Sequence, residues 1–157
     1  MPAFVPPVAP MPLLERLEDD APFEWSEAQV RRTLDADALR ASVRAELMRL
    51  LNTRRGAAHA AGALGVLEYG LPDWSANFAA RAEDRAALER DIADAIRVFE
   101  PRLSQPRVHI DLDAQAPWRL RLRILGSLEA EGQRWPIAFV AQFLDAQLAQ
   151  IADERFA

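Results

Sequence analysis

Carboxylates are the most abundant reactive groups in this sequence. Asp and Glu number 24 against 19 basic residues, all of them arginine, for a net charge of -5 over 157 residues. Two carboxyl groups roughly 5 to 9 Å apart can hydrolyse a glycosidic bond. Glu46, Glu68, Asp73, Glu100 and Asp111 are the acids that would supply such a pair in a lysozyme-like peptidoglycan hydrolase. None stands in an apolar context that predicts a raised pKa. The chain has no cysteine and two histidines, His59 and His109. That excludes a cysteine nucleophile, a thiolate metal site and a disulfide framework, and argues against a multi-histidine metal centre. No phosphate-binding loop or dinucleotide fingerprint occurs, so no cofactor is expected. The acidic balance argues against a nucleic-acid-coating role.

Two arginine arrangements remain. Arg119, Arg121 and Arg123 alternate along one segment and would suit an anion. Asp111 and Asp113 alternate in the preceding segment and suit them better as cross-strand partners. Glu100, Pro101 and Arg102 follow a helical stretch. A carboxylate beside a helix C-terminus is electrostatically disfavoured there. Its charge is met either by Arg102 in an internal clasp or by an external partner. Pro101 stiffens the turn, and Arg102 can bind a carboxylate or backbone carbonyls in bidentate fashion.

The elements that position these groups are legible from their periods. Leu39, Val43, Leu47, Leu50 and Leu51 make one apolar face of a helix from about Ala38 to Asn52, with Asp37 expected as its cap. Leu88, Ile92, Ala95, Ile96 and Phe99 do the same for a helix from about Glu83 to Phe99, ended by Pro101. The period then changes to two. Val108, Ile110 and Leu112 should face Ile124, Leu122 and Leu120 in a hairpin, which puts Asp111 opposite Arg121 and Asp113 opposite Arg119. Each such opposite-charge pair is worth a few tenths to about 1 kcal/mol. The hairpin loop surrounds Pro117. A third strand is expected at Trp135–Phe143, after a turn at EAEGQR, with Trp135, Ile137, Phe139 and Phe143 on one face. Ala146–Phe156 reads equally as a short helix or an edge strand.

These features give an α+β fold. Two main helices pack on one face of a small antiparallel sheet of three to four strands. Residues 1–35 read as an extended arm with a short helix at Leu13–Leu17 and apolar anchors at Leu13, Leu14, Leu17, Phe23 and Trp25. Residues 36–157 read as a single domain. Residues 54–80 are a loop-rich region, in which Tyr69, Trp74 and Phe78 could line a binding pocket and are better read as anchoring the loop against the core. No apolar run approaches the roughly 20 residues of a membrane span, and no signal peptide is recognised, so a cytoplasmic location is expected.

Four segments in order carry a resemblance: LLERLEDD at Leu13–Asp20, SVRAELMRLLNTR at Ser42–Arg54, YGLPDWS at Tyr69–Ser75 and FEPRL at Phe99–Leu103. Together they resemble the TssE family of type VI secretion systems, which is similar to the baseplate wedge protein that starts the sheath of contractile phage tails. The resemblance covers about residue 13 to at least 143. It leaves out the proline-rich first ten residues, and the C-terminal stretch matches poorly. It implies a structural, non-enzymatic role in a cytoplasmic baseplate docked at the inner membrane. The implied partners are the wedge proteins TssF and TssG and sheath subunits of the TssB and TssC type. The family's Glu-Pro-Arg contact element maps onto Glu100, Pro101 and Arg102. A sheath arm is expected to add a strand to an exposed sheet edge. Trp135–Phe143, with Trp135, Ile137 and Phe139, or the strand after it, is the expected edge.

Overall fold

The computed structural model describes residues 9–17, 23, 33–55, 65, 68–72, 82–112, 120–130, 133–143 and 149–154. Element order is β1 (Ala9–Pro10), α1 (Leu13–Leu17), β2 (Thr33–Leu34), α2 (Ala36–Asn52), α3 (Ala82–Phe99), β3 (Leu103–Leu112), β4 (Leu120–Ala130), β5 (Gln133–Phe143) and β6 (Ala149–Asp153). The fold is α+β. An antiparallel meander, β3-β4-β5-β6, carries the helices, and β1 and β2 form a second, two-stranded sheet.

The helices form where the apolar stripes placed them. Leu39, Val43, Leu47, Leu50 and Leu51 of α2 are buried, as are Leu88, Ile92, Ala95 and Ile96 of α3. The cap differs from expectation. Asp35, not Asp37, caps α2, with its carboxylate accepting the Ala38 N–H at 2.8 Å. The helix begins one residue before Asp37. A capping side chain must precede the first helical residue to reach the third N–H, so Asp37 falls in the first turn, where it complements the helix dipole.

The hairpin has the expected register over Val108↔Ile124, Ile110↔Leu122, Asp111↔Arg121 and Leu112↔Leu120. Residues 113–119, including Asp113, Arg119 and the loop at Pro117, lie outside the described residues. Both β4 and β5 run further than the alternation suggested, and EAEGQR contributes to their ends. Gly126 and Ser127 disguised the extension of β4. A Cβ on Gly126 would lie 2.7 Å from Leu103 Cδ1 and 3.1 Å from the Ser104 carbonyl oxygen. Glycine here permits the close approach of β3, which bulges between Ser104 and Arg107 with Gln105 at φ 52°. The ambiguous C-terminal segment is strand β6 at Ala149–Asp153.

Leu122, Ile124, Ile137, Phe139, Ala141 and Phe143 form the sheet's contribution to the core. Ala9 and Leu34, from the small sheet, are buried in the same core. Of the N-terminal anchors, Leu17 and Phe23 are exposed and Trp25 lies outside the described residues. Gly70, at φ 109°, lets the loop before α3 approach α2. There the Leu71 N–H donates to the Thr53 carbonyl at 2.8 Å, and the Arg55 N–H donates to the Leu71 carbonyl at 2.9 Å.

Candidate functional site

The Glu100-Pro101-Arg102 triplet sits where α3 turns into β3. The Glu100 N–H extends the helix by bonding to the Ile96 carbonyl at 2.8 Å, and the Leu103 N–H closes the turn on the Glu100 carbonyl at 3.1 Å. This geometry turns the Glu100 side chain inward, and the residue is only 1% exposed. A buried carboxylate at a helix C-terminus needs compensation. Arg102 supplies it from two residues away. Its backbone N–H and Nε donate to Oε1 at 3.2 and 2.8 Å, and Nη2 donates to Oε2 at 2.5 Å. Arg102 Nη1 then donates to Ser42 Oγ at 2.7 Å, and Ser42 Oγ donates to Glu15 of α1. The network ties α1, α2 and the α3–β3 turn together.

Ser42 and Glu15 escaped the sequence reading. The signal was present: Ser42 is a polar residue on the buried stripe of α2, beside Val43, and so requires a partner. Pro101 is exposed, and the Arg102 side chain retains 23% exposure. Those two surfaces are what the triplet shows to solvent.

Trp135, Ile137 and Phe139 lie on β5. Ile137 and Phe139 are buried and Trp135 packs half-buried against the core. β5 is an interior strand, bonded to β4 along its length and to β6 over Phe139–Phe143. Of the two strands expected at the sheet edge, Trp135–Phe143 is therefore interior and the one after it, β6, is the edge. Only the first part of β5 extends beyond β6. The Glu154 N–H bonds to the Ala138 carbonyl at 2.9 Å, so Ala138 turns its backbone towards β6. By alternation Pro136 faces the same side and offers no N–H there. The triplet and Trp135 lie near one end of the sheet, since Leu103 pairs with Leu128 and Leu128 with Trp135.

The two outer strands meet helix side chains. On β3 the Ile110 N–H points away from β4 and donates to Glu89 Oε1 of α3 at 2.7 Å. On β6 the Asn52 side chain of α2 meets both backbone groups of Ala149. Nδ2 donates to the carbonyl at 3.2 Å, and Oδ1 accepts the N–H at 2.5 Å. About two turns earlier on the same stripe of α2, Arg44 Nη1 lies 3.4 Å from Asp153 Oδ2. The other Asp153 oxygen is buried and meets no hydrogen-bond donor among the described residues.

Of the arginine row, Arg123 is engaged across the sheet. Arg123 reaches Asp111 at 3.4 Å and Glu154 at 3.1 Å, so its ion pair with β3 is diagonal and not directly across. Arg121 faces Asp111 in register, and His109 is an exposed strand residue on the same face.

The acids considered for hydrolysis are individually held. Glu46 accepts from Tyr69 Oη at 2.7 Å and from Arg49 Nε at 2.9 Å. Glu68 Oε2 accepts the Gly65 N–H at 2.7 Å, Glu100 is in the clasp, and Asp73 lies outside the described residues. Tyr69 also stacks edge-on against Phe99, with ring centroids 5.2 Å apart. Burial, then the hydrogen bond and charge of Glu46, push its phenol above the ordinary value. Tyr69, Glu46, Met48, Asn52 and Gln150 border an open groove of about 760 Å³. Among the described residues no cluster of His, Asp or Glu could hold a metal ion, and no helix is long and apolar enough to cross a membrane.

A search of curated proteins finds no match to this chain. A family model described as baseplate wedge protein gp25 matches residues 37–133. That span is more than half of the chain and runs from the first turn of α2, through the Glu100 clasp and the hairpin, to the start of β5. The chain belongs to the baseplate wedge protein gp25 family, which includes TssE, a family of structural baseplate proteins.

Proposed function

We propose that this protein is a TssE-type, non-catalytic subunit of a type VI secretion baseplate. In this role it links wedge proteins of the TssF and TssG type to the tail sheath and templates the first sheath ring. It works in the cytoplasm, in an assembly docked at the inner membrane. The observation that carries the reading is the family match over residues 37–133, which contains the Glu-Pro-Arg triplet and two of the four strands of the antiparallel sheet. Sheath subunits of the TssB and TssC type are the second partner. Backbone pairing between an extended arm and a sheet edge gives affinity, and alternate side-chain contacts give register.

Within this reading the triplet works in two layers. Glu100 is consumed internally and holds Arg102 in one orientation. Pro101 and the exposed part of Arg102 form the surface offered to the wedge. Ile137 and Phe139 act from the core by fixing the sheet's shape, while Trp135 stands at its half-buried margin. The test is co-expression with wedge proteins of the TssF and TssG type. Wild type should co-purify, and a folded Arg102→Ala variant should co-purify at least tenfold less. Co-purification of both in equal amounts would confine the triplet to an internal clasp. Failure of wild type to co-purify would remove the baseplate linkage.

A further inference from the structure

The guanidinium of Arg102 is gripped from two sides, and one grip comes from outside the triplet. Glu100 takes the edge formed by Nε and Nη2, at 2.8 and 2.5 Å. Ser42 accepts from Nη1 at 2.7 Å. A guanidinium has five N–H donors, so these three bonds leave two for a partner. The Ser42 hydroxyl has a single proton. In mid-helix its ordinary acceptor is the carbonyl one turn back in its own helix. Here it donates to the Glu15 carboxylate of α1. A charged acceptor polarises the hydroxyl and makes its oxygen a stronger acceptor for Arg102. A relay therefore runs from a carboxylate of α1, through one hydroxyl of α2, to the arginine of the α3–β3 turn.

Helix α1 needs this contact. It has five residues, too few to persist as a helix without tertiary support. Upstream, β1 and the packing of Ala9 and Met11 tie the arm to the core. Leu17 is 70% exposed and lies on the side of α1 away from Glu15. Among the described residues, the hydrogen bond that joins α1 to another element is the one from Ser42 to Glu15.

We infer that Glu15 and Ser42 are positioning residues for the wedge-facing Arg102, so that the seating of α1 and the binding of a wedge protein are coupled. The inference rests on the wedge contact proposed above for Arg102. With α1 seated, the guanidinium is held at three donors and presents the remaining two in a fixed direction. Without Glu15, the Ser42 hydroxyl can turn back to its own helix, and the wedge must then order Arg102 itself. By linkage, the factor that seated α1 adds to wedge affinity is the factor that bound wedge adds to the seating of α1.

The test is a double-mutant cycle on affinity for a TssF–TssG-type wedge complex. Arg102→Ala should weaken binding about tenfold or more. Glu15→Ala and Ser42→Ala should each weaken it about fivefold, the worth of one ordinary hydrogen bond, with unchanged circular dichroism spectra. In the Arg102→Ala background, Glu15→Ala should have no further effect. Glu15→Gln should recover part of the loss, because its amide oxygen can still accept from Ser42. Should Arg102→Ala fail to fold, Arg102→Lys closes the cycle; it keeps a charge beside Glu100 but cannot bond both Glu100 oxygens and Ser42 in the same planar array. Bound wedge should also slow exchange of the Arg16 amide, which bonds to the Pro12 carbonyl at 3.0 Å, and Ser42→Ala should abolish that slowing. Additive losses, or slowing that survives in Ser42→Ala, would mean that α1 touches the wedge directly and would overturn the relay. Unchanged affinity in Glu15→Ala would overturn it and leave the wedge contact of Arg102 standing. Unchanged affinity in Arg102→Ala would overturn both.

Discussion

The Glu100 clasp and the β6 margin both concentrate polar groups, and they differ in what they leave over. At the clasp both oxygens of a buried carboxylate are used, and the arginine that uses them is itself held by Ser42. At the margin one rung is filled by Asn52, two further residues point outward, and a carboxylate oxygen of Asp153 meets no donor among the described residues. The clasp is complete within one chain, so its chief product is a fixed geometry. Among the described residues the margin leaves its outward rungs at Ile151 and Asp153 unfilled. A motif's partner-facing role and its buried chemistry can thus be separate properties of the same residues.

Several substitutions break or sharpen that contrast. The largest effect belongs to the core beneath both regions: Phe139→Ala should lower unfolding free energy by about 3–5 kcal/mol, measured by denaturant titration. A loss under about 1 kcal/mol would mean that β5 is not interior. Glu100→Ala should cost about 3 kcal/mol, because it leaves Arg102 without the carboxylate it was built against. An almost neutral result would show the clasp to be solvated and loose. At the other end, Arg44→Ala at the β6 margin removes a half-exposed pair and should change stability by about 0.5 kcal/mol or less. A larger loss would place Arg44 in the fold's framework and not at an open margin.

Tyr69 offers a pH test beside the margin. Its phenol is raised above the ordinary 10.0, chiefly by burial and then by Glu46. Above pH 10 the unfolded chain loses this proton first, so the native state binds more protons and stability falls as pH rises. Below pH 10 the contribution is fully present. The chain has one tyrosine, so phenolate absorbance reports this residue alone. Phenolate should appear only as the chain unfolds, and Tyr69→Phe should flatten the alkaline fall. Titration near 10 in the folded chain would contradict the partly buried, Glu46-bonded placement.

The sequence made the periodic elements legible because their apolar residues had a single face to bury. The hairpin register followed from two alternating runs whose charges agreed with their apolar faces. The missed features depend on tertiary approach. Gly126 looks like a strand breaker until Leu103 is seen against it. The edge status of Trp135–Phe143 turned on the short Ala149–Asp153 segment, whose alternation is too brief to separate strand from helix. Ser42 announced a buried partner without saying which one. Asn52, read as a helix-ending residue, gave no local hint that its amide stands in for a strand 97 residues further on.

The proposed templating of sheath assembly by this chain is tested by the onset of sheath polymerisation, followed by light scattering. Sheath subunits are mixed with wedge complexes that either contain or lack this protein. Templating predicts a shorter lag that scales with the amount of this chain, and a return towards the untemplated lag with Ile151→Pro. An unchanged lag, with the protein demonstrably bound to the wedge, would contradict a templating role and leave it a wedge component alone.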